Sequence, residues 1–400
     1  MRFLKAEISF LFLLLPVFIF WGGCARMLGR ATIKLKDKNV TSIEVSAVSG
    51  TLAACPGNPF QLKVRVKTAD NMLYETWETR ADGTVNKNDR VEFSEFDFIP
   101  DTGFVDENGY FHPPENALSW FDKKINISVK LKQNPSISST LVLNPDYSCV
   151  KLALWRGPDG NPGMHGRSGY YGSDGYYGGK DRSGGNGGNG GNGENGGRGG
   201  DGLPGPVLSA MLGFLRSNCC GDLLIVKIVP QSGISSPPAI YITSIDSSNP
   251  FVIDVSGGAG GAGGDGGGGG RGGNGGTGID GGDGGDGGDG GNGGDGGNGG
   301  NGGTVLFYIP TGHPEMVQYV SVINSGGQGG RGGYGGMGGS GGSGGDCYQG
   351  GRRGKDGRDG HDGFPGRPGM AGMNGAIPQT YYSELKDMWG QEIASGLPIF

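Results

Sequence analysis

Hydrophobic residues make up only 34% of this 400-residue chain while glycine supplies 92 positions, so side-chain mass is too small for one large conventional core. A smaller globular part must stand beside something that packs without side chains. The net charge of −6 is spread rather than blocked, and no basic stripe is interleaved with aromatics, which excludes the usual nucleic-acid surface. Catalytic patterns are also missing. The four histidines, His112, His165, His313 and His361, sit in turn-like or glycine-rich contexts with no nucleophile or carboxylate at a recognised spacing. No Gly-Lys-Ser or Gly-Lys-Thr occurs, and a Gly-x-Ser-x-Gly pattern between Gly339 and Gly344 is only repeat composition. The chain is therefore not read as an enzyme, and no cofactor is expected.

Long apolar runs are absent except for one. Arg2 and Lys5 precede the stretch from Ile8 to Trp21, shorter than the roughly 20 residues a membrane span needs, and it ends at Gly22, Gly23 and Cys24. Small residues before a cysteine at this place resemble the lipobox of bacterial lipoproteins, although Trp21 departs from the usual aliphatic residue. The resemblance implies a signal peptide over 1–23, lipidation of Cys24, a linker over 24–30, and a lipid-anchored place at the outer membrane or cell surface, since Ala25 is not a retention aspartate. Ordinary secretion and an uncleaved anchor are the alternatives. Export implies an oxidising compartment. Cys55 and Cys149 bracket the first globular region and are candidates for a bridge. Because adjacent cysteines rarely bond to each other, one of Cys219 and Cys220 is expected to meet Cys347, with the other free or intermolecular.

What is abundant is a period. Glycine recurs at every third residue from Gly157 to Gly205 with one failure at Asp181, from Gly257 to Gly302 with none, and from Gly327 to Gly375 with one at Tyr348. A flexible linker has no reason to hold phase, whereas a polyproline II helix turns once in three residues and puts every third residue on one edge. Collagen needs one glycine per triplet; most central triplets here are Gly-Gly-X, as at Asn186, Asp286, Asp289 and Tyr334. Two bare edges imply neighbours on two sides, with peptide groups paired between polyglycine II helices and X residues facing water. On this reading valine at Gly284, Gly285 or Gly288 is damaging and Asp286→Ala nearly silent. The flanks, Gly157 to Lys180 and Gly351 to Ile377, read Gly-X-Y; they are either the outermost helices of the bundle or collagen-like triplets that trimerise.

Residues 31–155 alternate at period two in about seven short stretches, including Thr32 to Lys36, Ser42 to Val48, Gln61 to Lys67, Arg90 to Phe98, Ile125 to Lys132, Thr140 to Leu143 and Cys149 to Trp155, which predicts an all-β sandwich. Trp77, Trp120 and Phe121 are candidates for a ligand groove, against the commoner role of core aromatics. The rest divides into a glycine block over 156–207, a β-strand insert over 208–256, a second block over 257–304, a β-hairpin insert over 305–325, a third block over 326–377 and a tail over 378–400. Leu208 to Leu215 reads as one or two helical turns, and Ser383 to Ala394 as a short amphipathic helix.

Six aspartates of the middle block raise calcium as an alternative. Successive X residues of one helix lie about 9 Å apart, while calcium wants oxygens at about 2.3 to 2.6 Å, so ligands would have to come from neighbouring helices. No metal site is assigned. Over residues 184 to 346 the Gly-Gly-X feature resembles the glycine-rich motifs of phage tail-fibre adhesins, which implies a rigid sandwich presenting tip loops to a receptor; 231–250 and 310–316 are the candidates. It is also similar to the glycine-rich antifreeze proteins of snow fleas, but the aspartates and Arg271 disfavour an ice-binding face. The expectation is a surface structural or adhesive lipoprotein, with a glycan, protein or matrix receptor as partner. The alternative is a self-assembling filament or matrix subunit.

Overall fold

A computed structural model describes residues 33–76, 90–231 and 237–400. The signal segment, Cys24 and Trp77 lie outside them. The chain is β-rich with little helix and divides into two compact units, meeting in sequence at Cys149 and Val150. The strand expected at Cys149 to Trp155 thus belongs to the second unit, because it pairs there and not with the first.

In the first unit one sheet holds β1 (Val40–Ala47), β3 (Phe60–Thr68), β7 (Tyr110–His112) and β6 (Phe104–Val105) in that order, with β4 (Leu73–Glu75) on β3. The other holds β2 (Ala53–Ala54), β9 (Asn134–Pro145), β8 (Ile125–Leu131) and β5 (Phe96–Pro100). The alternation in these strands sends Leu62, Val64 and Val66 from one sheet and Ile125, Ile127 and Val129 from the other into one fully buried core, an arrangement compatible with a sandwich. Trp120 is buried in that core rather than lining a groove. Phe121 is half-buried against Tyr147. The first predicted strand is instead a 3-10 turn at Leu35–Asp37 that buries Leu35. Cys55 and Cys149 are joined by a disulfide.

The second unit is built from three long excursions. Strands β10 (Leu152–Leu154), β14 (Phe251–Asp254) and β16 (Val320–Ile323) form a parallel sheet in that order. Each runs straight into an extended glycine leg: leg 1 (157–178), leg 3 (257–278) and leg 5 (326–345). The chain turns back along leg 2 (184–205), leg 4 (281–303) and leg 6 (351–375), which enter β11 (Val207–Ser217), β15 (Thr304–Pro310) and β17 (Gln379–Ser383). Those three strands are parallel neighbours in a second sheet, completed by β12 (Gly221–Pro230) and β13 (Ala239–Ser244). Leu208, Leu212, Phe251, Ile253, Val305 and Phe307 form the core these strands share. The two β-layers continue into two layers of legs, 1-3-5 and 2-4-6.

Leu208 to Leu215 is strand, not helix, because it pairs on both sides with β12 and β15. Residues 305–325 are no hairpin: β15 and β16 lie in different sheets, since each must stay in the layer of the leg it joins. The tail helix α1 (Leu385–Ala394) is present, with buried Trp389 donating to Leu212 O at 3.2 Å.

Where β14 becomes leg 3, Asp254 is 1% exposed and accepts from Arg156 Nε at 2.6 Å, Ser256 N at 3.0 Å and Ser256 Oγ at 2.6 Å. Burial pushes its pKa up, but the bonds from Arg156 and Ser256 outweigh it and hold the carboxyl below its ordinary value. A depressed folded pKa stabilises the fold above the unfolded value, near 3.9, and that stabilisation is lost as pH falls through the folded pKa. Asp254→Asn should therefore cost about 2 kcal/mol at neutral pH and flatten the decline of the melting temperature below pH 4. Parallel acid profiles for parent and variant would contradict this role.

Candidate functional site

The legs carry the site, and their hydrogen bonds explain their composition. In legs 2, 3 and 4 the first glycine of a triplet donates within its layer, as Gly284 N to Lys355 O and Gly287 N to Arg358 O, both 2.8 Å. The second donates between layers, as Gly285 N to Gly273 O at 2.9 Å and Gly288 N to Gly270 O at 2.8 Å. Leg 3 is bonded to legs 1, 2, 4 and 5, and leg 4 to legs 2, 3, 5 and 6, whereas leg 1 meets only legs 2 and 3 and leg 6 only legs 4 and 5. One glycine per triplet suffices in legs 1 and 6; the enclosed legs need two. The Gly-X-Y flanks are thus the outer legs of the same slab. Tyr170 and Tyr176 stand exposed on leg 1, and Phe364, Met370 and Met373 on leg 6.

On the 2-4-6 face most X-position amides of legs 4 and 6 have a side-chain partner of their own. Asn186, Asn189, Asn192 and Asn195 of leg 2 accept through Oδ1 from the amides of Asp283, Asp286, Asp289 and Asn292 of leg 4 at 2.8 to 2.9 Å. Leg 4 repeats this toward leg 6, where Asp283, Asp286, Asp289 and Asn292 accept from Lys355, Arg358, His361 and Phe364. The Asn and Asp residues are therefore a row of side-chain acceptors and not a plain solvated edge. Asp286 also takes the Arg358 guanidinium at 2.9 Å, which lowers its pKa. Asp286→Ala removes two acceptor contacts and is not silent.

The 1-3-5 face is different. Hydrogen-bond register aligns residues in rows across legs 1, 3 and 5: His165, Asp265 and Tyr334, then Ser168, Gly268 and Met337, then Tyr171, Arg271 and Ser340, then Asp174, Asn274 and Ser343. Acceptors serve only some rows. Asp265 N donates to His165 Nδ1 at 2.9 Å, Tyr334 N to Asp265 Oδ1 at 2.8 Å, Asn274 N to Asp174 Oδ1 at 2.7 Å and Ser343 N to Asn274 Oδ1 at 3.0 Å. Leg 3 contributes the small residues Ala259, Ala262 and Gly268, interrupted by Asp265 and Arg271, between the exposed residues of leg 5 and those of leg 1, so it forms the floor of a shallow trough. A sequence signal for this asymmetry exists inside the middle block. Its X positions are mixed up to Thr277 and exclusively Asn or Asp from Asp280 to Asn301, and the change falls at the turn between legs 3 and 4.

Cys219 and Cys220 are bonded to each other, at the turn between β11 and β12, and Cys347 has no disulfide partner among the described residues. The expected link to Cys347 fails because that residue lies in the turn joining legs 5 and 6, at the end of the slab remote from the sheets. Of the expected tip loops, 310–316 lies beyond β15 at the sheet end and enters a 3-10 turn at Pro314–Tyr319. The stretch 231–250 contains β13, and its residues 232–236 are outside the description. Among the described residues no group of three or more His, Cys, Asp or Glu is placed to hold a metal ion, and no helix is long and apolar enough to cross a membrane. Comparison with known protein families, characterised proteins and solved structures finds no match.

Proposed function

We propose that this chain is a lipid-anchored structural or adhesive scaffold of the bacterial surface. On this reading the six legs are polyglycine II helices, the first unit is a β-sandwich near the membrane, and Cys24 carries the lipid. The observation that supports it best is the triplet lattice of inter-leg amide bonds, which makes a stiff slab without a hydrophobic core and fixes rows of side chains in register. Such an object presents surface; it does not enclose chemistry. The bulky outer residues of legs 1 and 6 block addition of further legs from another copy, so a monomeric scaffold is favoured over a filament subunit. Cys24→Ser should release the protein from the membrane fraction, and cells carrying it should lose adherence to mucin- or collagen-coated surfaces that cells with the parent chain show. Unchanged fractionation of the variant would overturn the anchor, and equal adherence of cells with and without the parent chain would overturn the adhesive role.

A further inference from the structure

We propose that the trough over leg 3, centred on Gly268, binds a linear, carboxylate-bearing oligosaccharide. This rests on the reading of the slab as a binding scaffold and assigns its ligand face. Packing does not demand glycine at 268. A Cβ on Gly266, Gly267, Gly269 or Gly270 would lie 1.8 to 1.9 Å from a carbonyl oxygen of an adjoining leg, whereas one on Gly268 would meet nothing closer than Met337 O at 3.6 Å. Every other X position of legs 2 to 5 carries a side chain. The bare position opens a notch in the floor, between Ser168 and Met337.

The hydrogen-bonding character of the trough selects the ligand. Among the described residues the amides of Gly268, Arg271, Met337 and Ser340 have no protein acceptor, unlike those of Asp265, Tyr334, Asn274 and Ser343 in the adjoining rows. Their carbonyls are all engaged, by Gly169, Gly172, Gly269 and Gly272 respectively. The backbone there offers donors and no acceptors, which disfavours an extended peptide, whose own amide N–H groups would go unpaired. Arg271 and Arg331, both exposed, add positive charge on either side of Asp265, whose Oδ1 is engaged by the Tyr334 amide. Tyr334 and Tyr171, 65% and 81% exposed, stand on opposite walls two triplets apart, which is about 19 Å at the rise of a threefold helix. Arg331 lies 5.9 Å from the Tyr334 ring centroid and supports the ring from one side. Exposed ring faces stack on the C–H faces of sugars, and the free backbone amides of the floor take hydroxyl and carboxylate oxygens. Two rings so far apart along the trough call for a polymer rather than a monosaccharide.

Titration calorimetry of the soluble chain with hexagalacturonate should show saturable binding at least tenfold tighter than with neutral cellohexaose. Gly268→Leu, which fills the notch, and Tyr334→Ala should each weaken it at least tenfold, while Phe364→Ala on the opposite face leaves it unchanged. Melting temperatures of the Gly268→Leu variant and the parent should agree, so lost binding cannot be ascribed to misfolding. No saturable binding of hexagalacturonate, equal affinity for cellohexaose, or a Gly268→Leu variant that binds like the parent would each overturn the proposal. Adherence by cells carrying Gly268→Leu that equals the parent's, together with absent sugar binding, would remove this inference and leave the adhesive reading standing.

Discussion

Gly267→Ala should destabilise the second unit severely, while Gly268→Ala, one residue on, leaves its melting temperature unchanged. The Cβ of Ala at 267 would sit 1.9 Å from Arg167 O, an oxygen already accepting the Glu194 amide at 2.8 Å. That carbonyl cannot retreat without lengthening bonds in leg 2, and leg 2 is in turn bonded to legs 3 and 4. Overpacking in ordinary cores costs about 1 to 3 kcal/mol where side chains can repack, and a backbone lattice has none to move, so a loss of at least about 4 kcal/mol is expected. Gly285→Val and Gly288→Val fall in the same class, each placing a Cβ 2.0 Å from a glycine carbonyl oxygen of leg 2. Asp286→Ala should lie between the silent and the severe variants. Thermal unfolding followed by circular dichroism checks the series, and equal melting of the alanine variants at 267 and 268 would refute the packing argument.

Replacing both Cys55 and Cys149 by serine should cost the first unit about 4 to 5 kcal/mol. The bridge closes a sequence separation of 94 residues, and its main effect in the chain-entropy model is to restrict the unfolded chain, an effect that grows with loop length. It ties the region just after β2 to the last residue of a unit whose two sheets share one core. The bond between Cys219 and Cys220, at a separation of one residue, closes no loop of consequence, so the matching double serine change there should be near neutral. Denaturant unfolding of both variants beside the parent measures the contrast. A first unit that keeps its midpoint without Cys55 and Cys149 would show that its unfolded state is compact already.

Much of this architecture was legible because its causes are local. Alternation at Gln61 to Lys67 and Ile125 to Lys132 marks strands through the two-residue side-chain period, and the triplet register from Gly157 to Gly375 marks edges where no Cβ can stand. Counting one bare edge in the flanks and two in the centre anticipated which legs are enclosed, since a glycine is needed wherever a neighbour's carbonyl approaches. The errors share a different origin. Leu208 to Leu215 looked helical because its burial on both faces erases the two-residue pattern, and that burial comes from elements distant in sequence, Phe251 and Ile253 on one face and Trp389 and Ile399 on the other. The partnership of Cys219 depends on which end of the slab each cysteine reaches, and the hairpin expected at 305–325 depends on which layer each leg joins. The site was hidden for the same reason. Asn, Asp and glycine at X positions look alike along a chain with a period of three. Only the order of the legs within each layer decides which of them bond to a neighbour's amide and which amides stay open. Steric need at a glycine is therefore written into the sequence, whereas the pairing of amides across legs is a property of chains brought together by folding.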